Sequence, residues 1–180
     1  MEGGASYPLR HRLLRMAWKI AWAVLASWTP PQARRWRVLL LRAFGAQVHS
    51  SANIYGSAKV WYPPNLSIGA QATLGPDVIC YCMDRIEIGE RAIVSQRAHL
   101  CGGTHDIDDP DFQLRAFPII IGADAWIASE AFVGPGTGIG EGAVLGARGV
   151  TVKSLDPWTV YAGNPAKPIR ARKRRGNAHD

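Results

Sequence analysis

The chain has 180 residues, of which 47% are hydrophobic and 19% are charged. That is enough for one domain with a buried core, and it excludes an intrinsically disordered chain. The net charge of +7 is uneven, because residues 1–42 and 167–180 are basic whereas residues 43–166 carry twelve acidic and seven basic side chains. A nucleic-acid-binding domain normally carries its basic surface on the folded body, so this distribution argues against nucleic acid as a partner.

Cysteine usage and hydropathy indicate a cytoplasmic protein. The three cysteines are Cys80, Cys82 and Cys101. Their number is odd and their spacing matches no zinc motif, so we expect reduced thiols. The longest apolar stretch, residues 13–28, is interrupted by two basic residues and is shorter than the roughly 20 residues that a membrane-crossing helix needs.

The N-terminal segment, residues 1–47, is predicted to be helical. Apolar residues recur at helical spacing over residues 13–25, and Thr29-Pro30-Pro31 ends this helix. A second short helix is predicted over residues 33–44, and it ends at Gly45.

Two interpretations of these helices stay open. In the first they form a cap on the rest of the protein, with Trp18 and Trp22 in its core. In the second a basic, tryptophan-containing surface helix rests on anionic lipid. The basic residues near both termini would then make a peripheral contact with the inner face of the membrane.

Residues 48–156 carry a six-residue repeat. Each unit begins with an aliphatic residue, and small residues often follow one and four positions later. The aliphatic positions fall in four runs, namely Val48, Ile54, Val60, Leu66; Ile68, Leu74, Cys80; Ile88, Val94, Leu100; and Ile121, Ile127, Val133, Ile139, Leu145, Thr151. A helix repeats every ~3.6 residues and a flat strand every ~2, whereas six residues make one short strand and one turn of a triangular coil. The repeat therefore predicts a mainly β fold, a parallel β-helix whose stacked coils bury the aliphatic side chains.

One stretch of this region, residues 106–118, is acidic and lacks the repeat. In a solenoid an insertion leaves through a corner, so we expect an external loop of the kind that often carries function. Residues 157–180 follow the repeat as a C-terminal segment with a basic tail.

The repeat, a histidine-bearing turn at residues 95–106, the segment 121–128 and the closing segment 158–167 together resemble the bacterial hexapeptide-repeat acyltransferases. The similarity is strongest to the branch like the colanic acid biosynthesis acetyltransferases, which is related to galactoside and maltose O-acetyltransferases. The resemblance implies a left-handed coil, a homotrimer with active sites between subunits, and acetyl-CoA in a groove between two coils.

The resemblance also implies an activity and its residues. The expected activity is acetyl-CoA-dependent O-acetylation of a saccharide or lipid-linked saccharide in exopolysaccharide or cell-surface glycan biosynthesis. His105 matches the base that acts on the acceptor hydroxyl. The residues that match the acetyl-CoA contacts are Trp126, Ser129, Gly146, Ala147 and Lys167.

The chemistry agrees with His105 as the base. A sugar hydroxyl is too weakly acidic to ionise at neutral pH, whereas a neutral imidazole can accept its proton as the oxygen attacks a thioester. Asp106 and Asp108 are neighbours that could orient the ring or stabilise the imidazolium.

The residues predicted to line the part of the active site that binds the acceptor are Cys82, Asp84 and Asp106. Related sugar acetyltransferases carry an asparagine one coil before the base, and Cys82 is the residue nearest to that position here. Because a thiol is a weak hydrogen-bond donor, either this role is vacant or the acceptor differs.

Two other functions stay open. A non-catalytic β-helical scaffold or binding protein would share the repeat, because a fold does not imply a function. His99 lies six residues before His105, and this spacing suggests an alternative in which the two histidines belong to a zinc site like that of the γ-type carbonic anhydrases. Such a site needs three protein ligands, and no other histidine has a convincing partner, so we expect no metal.

Overall fold

The computed structural model describes residues 7–173 as a helical cap followed by a parallel β-helix. Helix α1 spans Leu9–Leu25 and helix α2 spans Arg34–Ala43, and a short 3₁₀ turn at Pro31–Ala33 lies between them. Both predicted helices are confirmed. Within residues 7–173 no helix is long and apolar enough to cross a membrane.

Three parallel sheets form the sides of the coil, and each full coil contributes one strand to each sheet. The first sheet contains β1 (Gln47–Val48), β4 (Leu66–Ile68), β7 (Ile86–Ile88), β12 (Ile119–Ile121) and β15 (Gly138–Ile139). The second contains β2 (Asn53–Ile54), β5 (Thr73–Leu74), β8 (Ile93–Val94), β13 (Trp126–Ile127), β16 (Val144–Leu145), β18 (Thr159–Ala162) and β19 (Lys167–Ala171), of which β19 alone pairs antiparallel to its neighbour. The third contains β3 (Lys59–Val60), β6 (Ile79–Tyr81), β9 (His99–Cys101), β14 (Phe132–Val133) and β17 (Val150–Thr151). Strands β10 (Gly103–His105) and β11 (Leu114–Ala116) form a separate antiparallel hairpin.

The six-residue repeat explains this register. In the second sheet Ile54 pairs with Leu74, and Leu74 pairs with Val94, so each aliphatic side chain lies directly above the previous one. Val94 pairs in turn with Ile127, and Ile127 with Leu145. These side chains are fully buried, and they form the continuous core that no single coil could bury alone.

The corners of the coil hold non-glycine residues in the left-handed region of φ. At one corner Arg91 and Asp124 both have φ of +57°, and their backbone N–H groups donate to carbonyl oxygens of the coil below. Such a backbone is unfavourable for L-residues, so the stacked hydrogen bonds must stabilise it. Gly142 occupies the same corner in the next coil with φ +63°, and a Cβ there would lie 2.6 Å from the ring of Trp158.

The cap packs on the first coil through its tryptophans. The indole N–H of Trp18 donates to the Val60 carbonyl at 2.7 Å, and that of Trp22 donates to the Gly56 carbonyl at 2.9 Å. Both rings are buried, which confirms the interpretation that places them in the core. Other apolar residues of α1 are exposed, so the predicted helical face is only partly a core face.

Two regions extend past the predicted bounds. The external segment begins as a strand at Gly103 rather than at residue 106, and the chain rejoins the coil at Ile119. Strand β18 pairs with β16, so the second sheet continues beyond residue 156.

Candidate active site

His105 ends strand β10 on a hairpin that projects from the coil. It lies opposite Leu114 of β11, and the Asp106 N–H donates to the Gln113 carbonyl at 2.9 Å. At the base of the hairpin the Phe117 N–H donates to the Gly102 carbonyl at 2.9 Å. The hairpin therefore holds the histidine in a defined position outside the coil.

A backbone carbonyl sets the tautomer of His105. Its Nδ1 lies 2.8 Å from the Phe112 carbonyl oxygen, and its ring stacks on the Phe112 ring at 4.6 Å between centroids. A carbonyl oxygen only accepts hydrogen bonds, so in the neutral ring Nδ1 carries the proton and Nε2 keeps its lone pair. The side chain is exposed, and Nε2 is the atom that can act as a base.

The Asp106 carboxylate has partners other than His105. One Asp106 oxygen accepts the Asp108 N–H at 3.3 Å, and the other lies 3.3 Å from an Arg115 guanidinium nitrogen. The hydrogen bond that orients the His105 ring therefore comes from Phe112. The sequence offered no signal for it, because every residue carries a backbone carbonyl.

A cleft of about 360 Å³ lies between the hairpin, the lower coils and the start of α1. Its lining residues are Tyr7, Arg12, Arg15, Trp61, Tyr81, Met83 and Leu114. A Cβ added at Gly103 would overlap the Met83 sulfur and lie 3.1 Å from the Tyr81 ring. Alternate residues of a strand point to the same face, so His105 projects from the same face of β10 as Gly103, although it is not one of the residues that line the cleft.

The cleft combines aromatic walls with guanidinium groups. The Arg15 guanidinium lies 4.1 Å from the centre of a Trp61 ring, and its Nε is buried without a hydrogen-bond partner among residues 7–173. Burial raises the pKa of the Tyr7 hydroxyl, and Tyr81 and Asp84 raise it further while Arg15 opposes them. Asp84 lies in the loop between β6 and β7, next to the lining residue Met83, and its contact with an acceptor stays a prediction.

Cys82 does not line the cleft, which corrects the sequence-based expectation. Its side chain is fully buried in the coil, where its sulfur lies 3.3 Å from the Tyr62 N–H and 3.2 Å from the Tyr62 carbonyl oxygen. The reason is strand alternation, because Cys80 and Cys82 point inward while Tyr81 points outward. The same alternation could have identified Tyr81 from the sequence.

The residues predicted to contact acetyl-CoA lie along one edge of the coil. Trp126 is 44% exposed on the second sheet, and its indole N–H donates to the Ser95 hydroxyl at 2.9 Å. Ser129, Gly146 and Ala147 lie at the corner that follows this sheet. Lys167 is exposed on β19, at the end of the same sheet.

Within a single chain, the residues predicted to contact acetyl-CoA lie at a different corner of the coil from His105. The hairpin leaves the coil after β9, at the corner between the third and first sheets. The predicted acetyl-CoA residues occupy the second sheet and the corner between the second and third sheets. The two groups therefore flank opposite edges of the third sheet.

The histidine of the zinc alternative has an apolar neighbour. His99 packs edge-on against Phe132 at 5.3 Å between ring centroids, and burial lowers the pKa of its imidazole. Across residues 7–173 no group of three His, Cys, Asp or Glu side chains is arranged to hold a metal ion.

The similar proteins and the similar solved structures described below are named as acetyltransferases. No family model matches the chain. It is 42% identical over 155 residues to WcaF of Escherichia coli K12, whose name describes an acetyltransferase of colanic acid biosynthesis, and the alignment covers 86% of this chain and 85% of that protein. A maltose O-acetyltransferase from Clostridium difficile 630 superposes with a TM-score of 0.81 and 24% identity, over 93% of this chain and 90% of that chain.

A second solved structure has the same fold. It is a hexapeptide-repeat acetyltransferase from Vibrio cholerae in complex with acetyl-CoA, with a TM-score of 0.82 and 21% identity over 96% of this chain and 94% of that chain. These likenesses confirm the predicted fold, a left-handed parallel β-helix with an N-terminal helical segment.

Proposed function

Because the chain belongs to the hexapeptide-repeat acetyltransferases, in the branch of the colanic acid biosynthesis enzymes, we propose that it transfers an acetyl group from acetyl-CoA to a saccharide hydroxyl. The product would enter exopolysaccharide or cell-surface glycan biosynthesis, the process in the name of the 42% identical relative. The observation that carries the proposal is the exposed imidazole of His105, whose Nδ1 is held by the Phe112 carbonyl so that Nε2 is left to act as the base.

In the proposed reaction His105 acts as a general base. Nε2 takes the proton of the acceptor hydroxyl as the oxygen attacks the thioester carbonyl carbon. The tetrahedral intermediate collapses by breaking the carbon–sulfur bond, and the imidazolium returns the proton to the departing CoA thiolate. The Phe112 carbonyl stabilises the imidazolium in between, because it keeps its hydrogen bond to Nδ1–H throughout.

The cleft supports a saccharide acceptor. Trp61 and Tyr81 offer aromatic surfaces for the apolar faces of a sugar ring. Arg12 and Arg15 offer donors to sugar hydroxyls or to an anionic group, and the buried Nε of Arg15 has no partner within the described part of the chain. Asp84, which follows the lining residue Met83, would accept a hydrogen bond from a sugar hydroxyl.

The separation of the two residue groups supports a homotrimer with active sites between subunits. In that assembly a neighbouring subunit would present Trp126, Ser129, Gly146 and Ala147 to the His105 hairpin. Lys167 would meet a CoA phosphate as a flexible point charge. The Vibrio cholerae structure, which binds acetyl-CoA on the same fold, supports this donor. The three unpaired cysteines support a cytoplasmic location.

Calorimetric titration with acetyl-CoA tests the donor without knowledge of the acceptor. We expect saturable binding of about one acetyl-CoA per chain, weaker binding after Trp126→Ala, and no binding of acetate. A panel of saccharides is then assayed by thiol release and by the mass of the product. Absence of binding by folded trimeric protein would contradict the proposal and favour a non-catalytic scaffold.

A further inference from the structure

Helix α1 presents an apolar stripe to solvent. Its residues are Leu9, Leu13, Met16, Ile20 and Val24, each between 50% and 65% exposed. Their spacing places them on one helix face. The buried residues Trp18 and Trp22 lie on the opposite face, so α1 is apolar on two sides and only one of them packs on the coil. We call the exposed residues the α1 stripe.

Large side chains extend the stripe beyond the end of α1. Trp28 is 73% exposed, and its indole N–H donates to the Val24 carbonyl at 2.7 Å. The indole N–H of Trp36 donates to the Leu25 carbonyl at 2.7 Å, which holds α2 against the last turn of α1. Tryptophans with a satisfied N–H and an exposed ring are typical of the region between water and the lipid tails.

Basic side chains border the stripe. On the helix, Arg12 and Lys19 lie on one side of it and Arg10 on the other, and all three are exposed. Arg34, Arg35 and Arg42 of α2 line a separate groove of about 360 Å³. Neither helix contains an acidic residue. Among residues 7–173 no ion pair includes any of these six side chains.

We propose that the α1 stripe docks on an anionic lipid surface, with α1 lying in the plane of the interface. Apolar residues, flanking lysine and arginine, and exposed tryptophan are the features of interfacial helices. Anionic headgroups complement the basic border. Two copies of the stripe would instead bring like charges together, which disfavours a self-association face.

This surface lies next to the candidate active site. Arg12 borders the stripe and also lines the acceptor cleft, and Arg15 lies one helical turn before Lys19. A docked α1 would therefore hold the cleft close to lipid headgroups, where a lipid-linked saccharide would be presented. The inference depends on the cap alone, so it stands or falls separately from the proposed transfer by His105.

Vesicle co-flotation tests the proposal with the full chain. Vesicles of phosphatidylcholine alone are compared with equal parts of phosphatidylcholine and phosphatidylglycerol. We expect binding to the anionic vesicles and its loss with rising salt. The double variant Ile20→Gln, Val24→Gln should bind at least about tenfold more weakly, because two apolar side chains no longer enter the interface. The control Val152→Gln, Ile169→Gln replaces residues that are just as exposed elsewhere, and it should bind like the wild type.

The same assay tests the contribution of the basic side chains and the other regions that could cause vesicle binding. Arg10→Gln and Lys19→Gln should each weaken binding to anionic vesicles by about fivefold. A chain that ends at residue 173, which lacks Arg174 and Arg175, tests the end of the basic tail as the source of binding. The proposal is overturned if the wild type does not float with anionic vesicles, or if the tail truncation abolishes binding while the double variant retains it. A change of molar mass in the double variant, measured by light scattering, would identify a protein interface instead and would also overturn it.

Discussion

Replacing His105 with asparagine separates the two properties of its imidazole. An asparagine amide nitrogen lies near the position of Nδ1, so His105→Asn can still donate to the Phe112 carbonyl. It has no counterpart of Nε2, so the proton acceptor is lost. His105→Ala loses both the base and the hydrogen bond.

The magnitude follows from these two losses. A general base contributes on the order of 10²–10⁴-fold, which is about 3–5 kcal/mol of barrier, so both variants should lose transfer by that factor. A hydrogen bond of this kind is worth about 1 kcal/mol, so only the alanine variant should loosen the hairpin. Amide hydrogen exchange at Asp106, whose N–H donates to the Gln113 carbonyl, reports that loosening.

The assay follows thiol release from acetyl-CoA with the saccharide acceptor found in the panel. We expect kcat to fall equally in both variants while calorimetry gives an unchanged Kd for acetyl-CoA. If His105→Asn kept a turnover near the wild-type value, the assignment of Nε2 as the base would be wrong. If the two variants differed strongly in kcat, the Phe112 hydrogen bond would contribute more than orientation.

Three further changes test other parts of the structure. Gly103→Ala places a methyl group against the Met83 sulfur, so the acceptor KM should rise several-fold while calorimetry shows unchanged acetyl-CoA binding. Burial lowers the pKa of His99, so below about pH 6.5 the unfolded chain binds the proton more readily than the folded chain, and stability falls as the pH is lowered. The melting temperature of His99→Gln should therefore fall less than that of the wild type when the pH is lowered. Arg172→Ala removes hydrogen bonds to two carbonyl oxygens and should cost about 1–2 kcal/mol in denaturant unfolding, whereas ending the chain at residue 173 should leave stability unchanged.

The coil could be predicted from the sequence because its period is local and its physics is simple. An aliphatic residue every six positions fixes which side chain points inward, and Ile54, Leu74, Val94 and Ile127 stack as expected. The two helices could be predicted in the same way, from the helical spacing of apolar residues and from the prolines that end the first helix. The left hand of the coil did not follow from periodicity, since a mirror-image coil would bury the same positions.

The site was harder to predict, because much of it depends on contacts between distant segments. His105 carries a recognisable side chain, whereas the Phe112 carbonyl that orients it does not. Tyr7 and Arg15 reach the cleft only because α1 packs on the first coil. The expected role of Cys82 is wrong because the alternation of side chains along β6 turns its thiol into the core.

The breaks in the repeat locate the cleft more directly than any single residue. A regular six-residue coil leaves no cavity, because every extra residue must leave the stack at a corner. The breaks in the lower coils are the 3₁₀ turn at Pro63–Asn65, the loop at residues 82–85 and the hairpin of β10 and β11. All three fall between a third-sheet strand and the next first-sheet strand, so they stack at one corner. The cleft lies there, between Trp61 of the first coil, Met83 of the second and Leu114 of the hairpin, which is why the position of each phase shift in the sequence carries functional information.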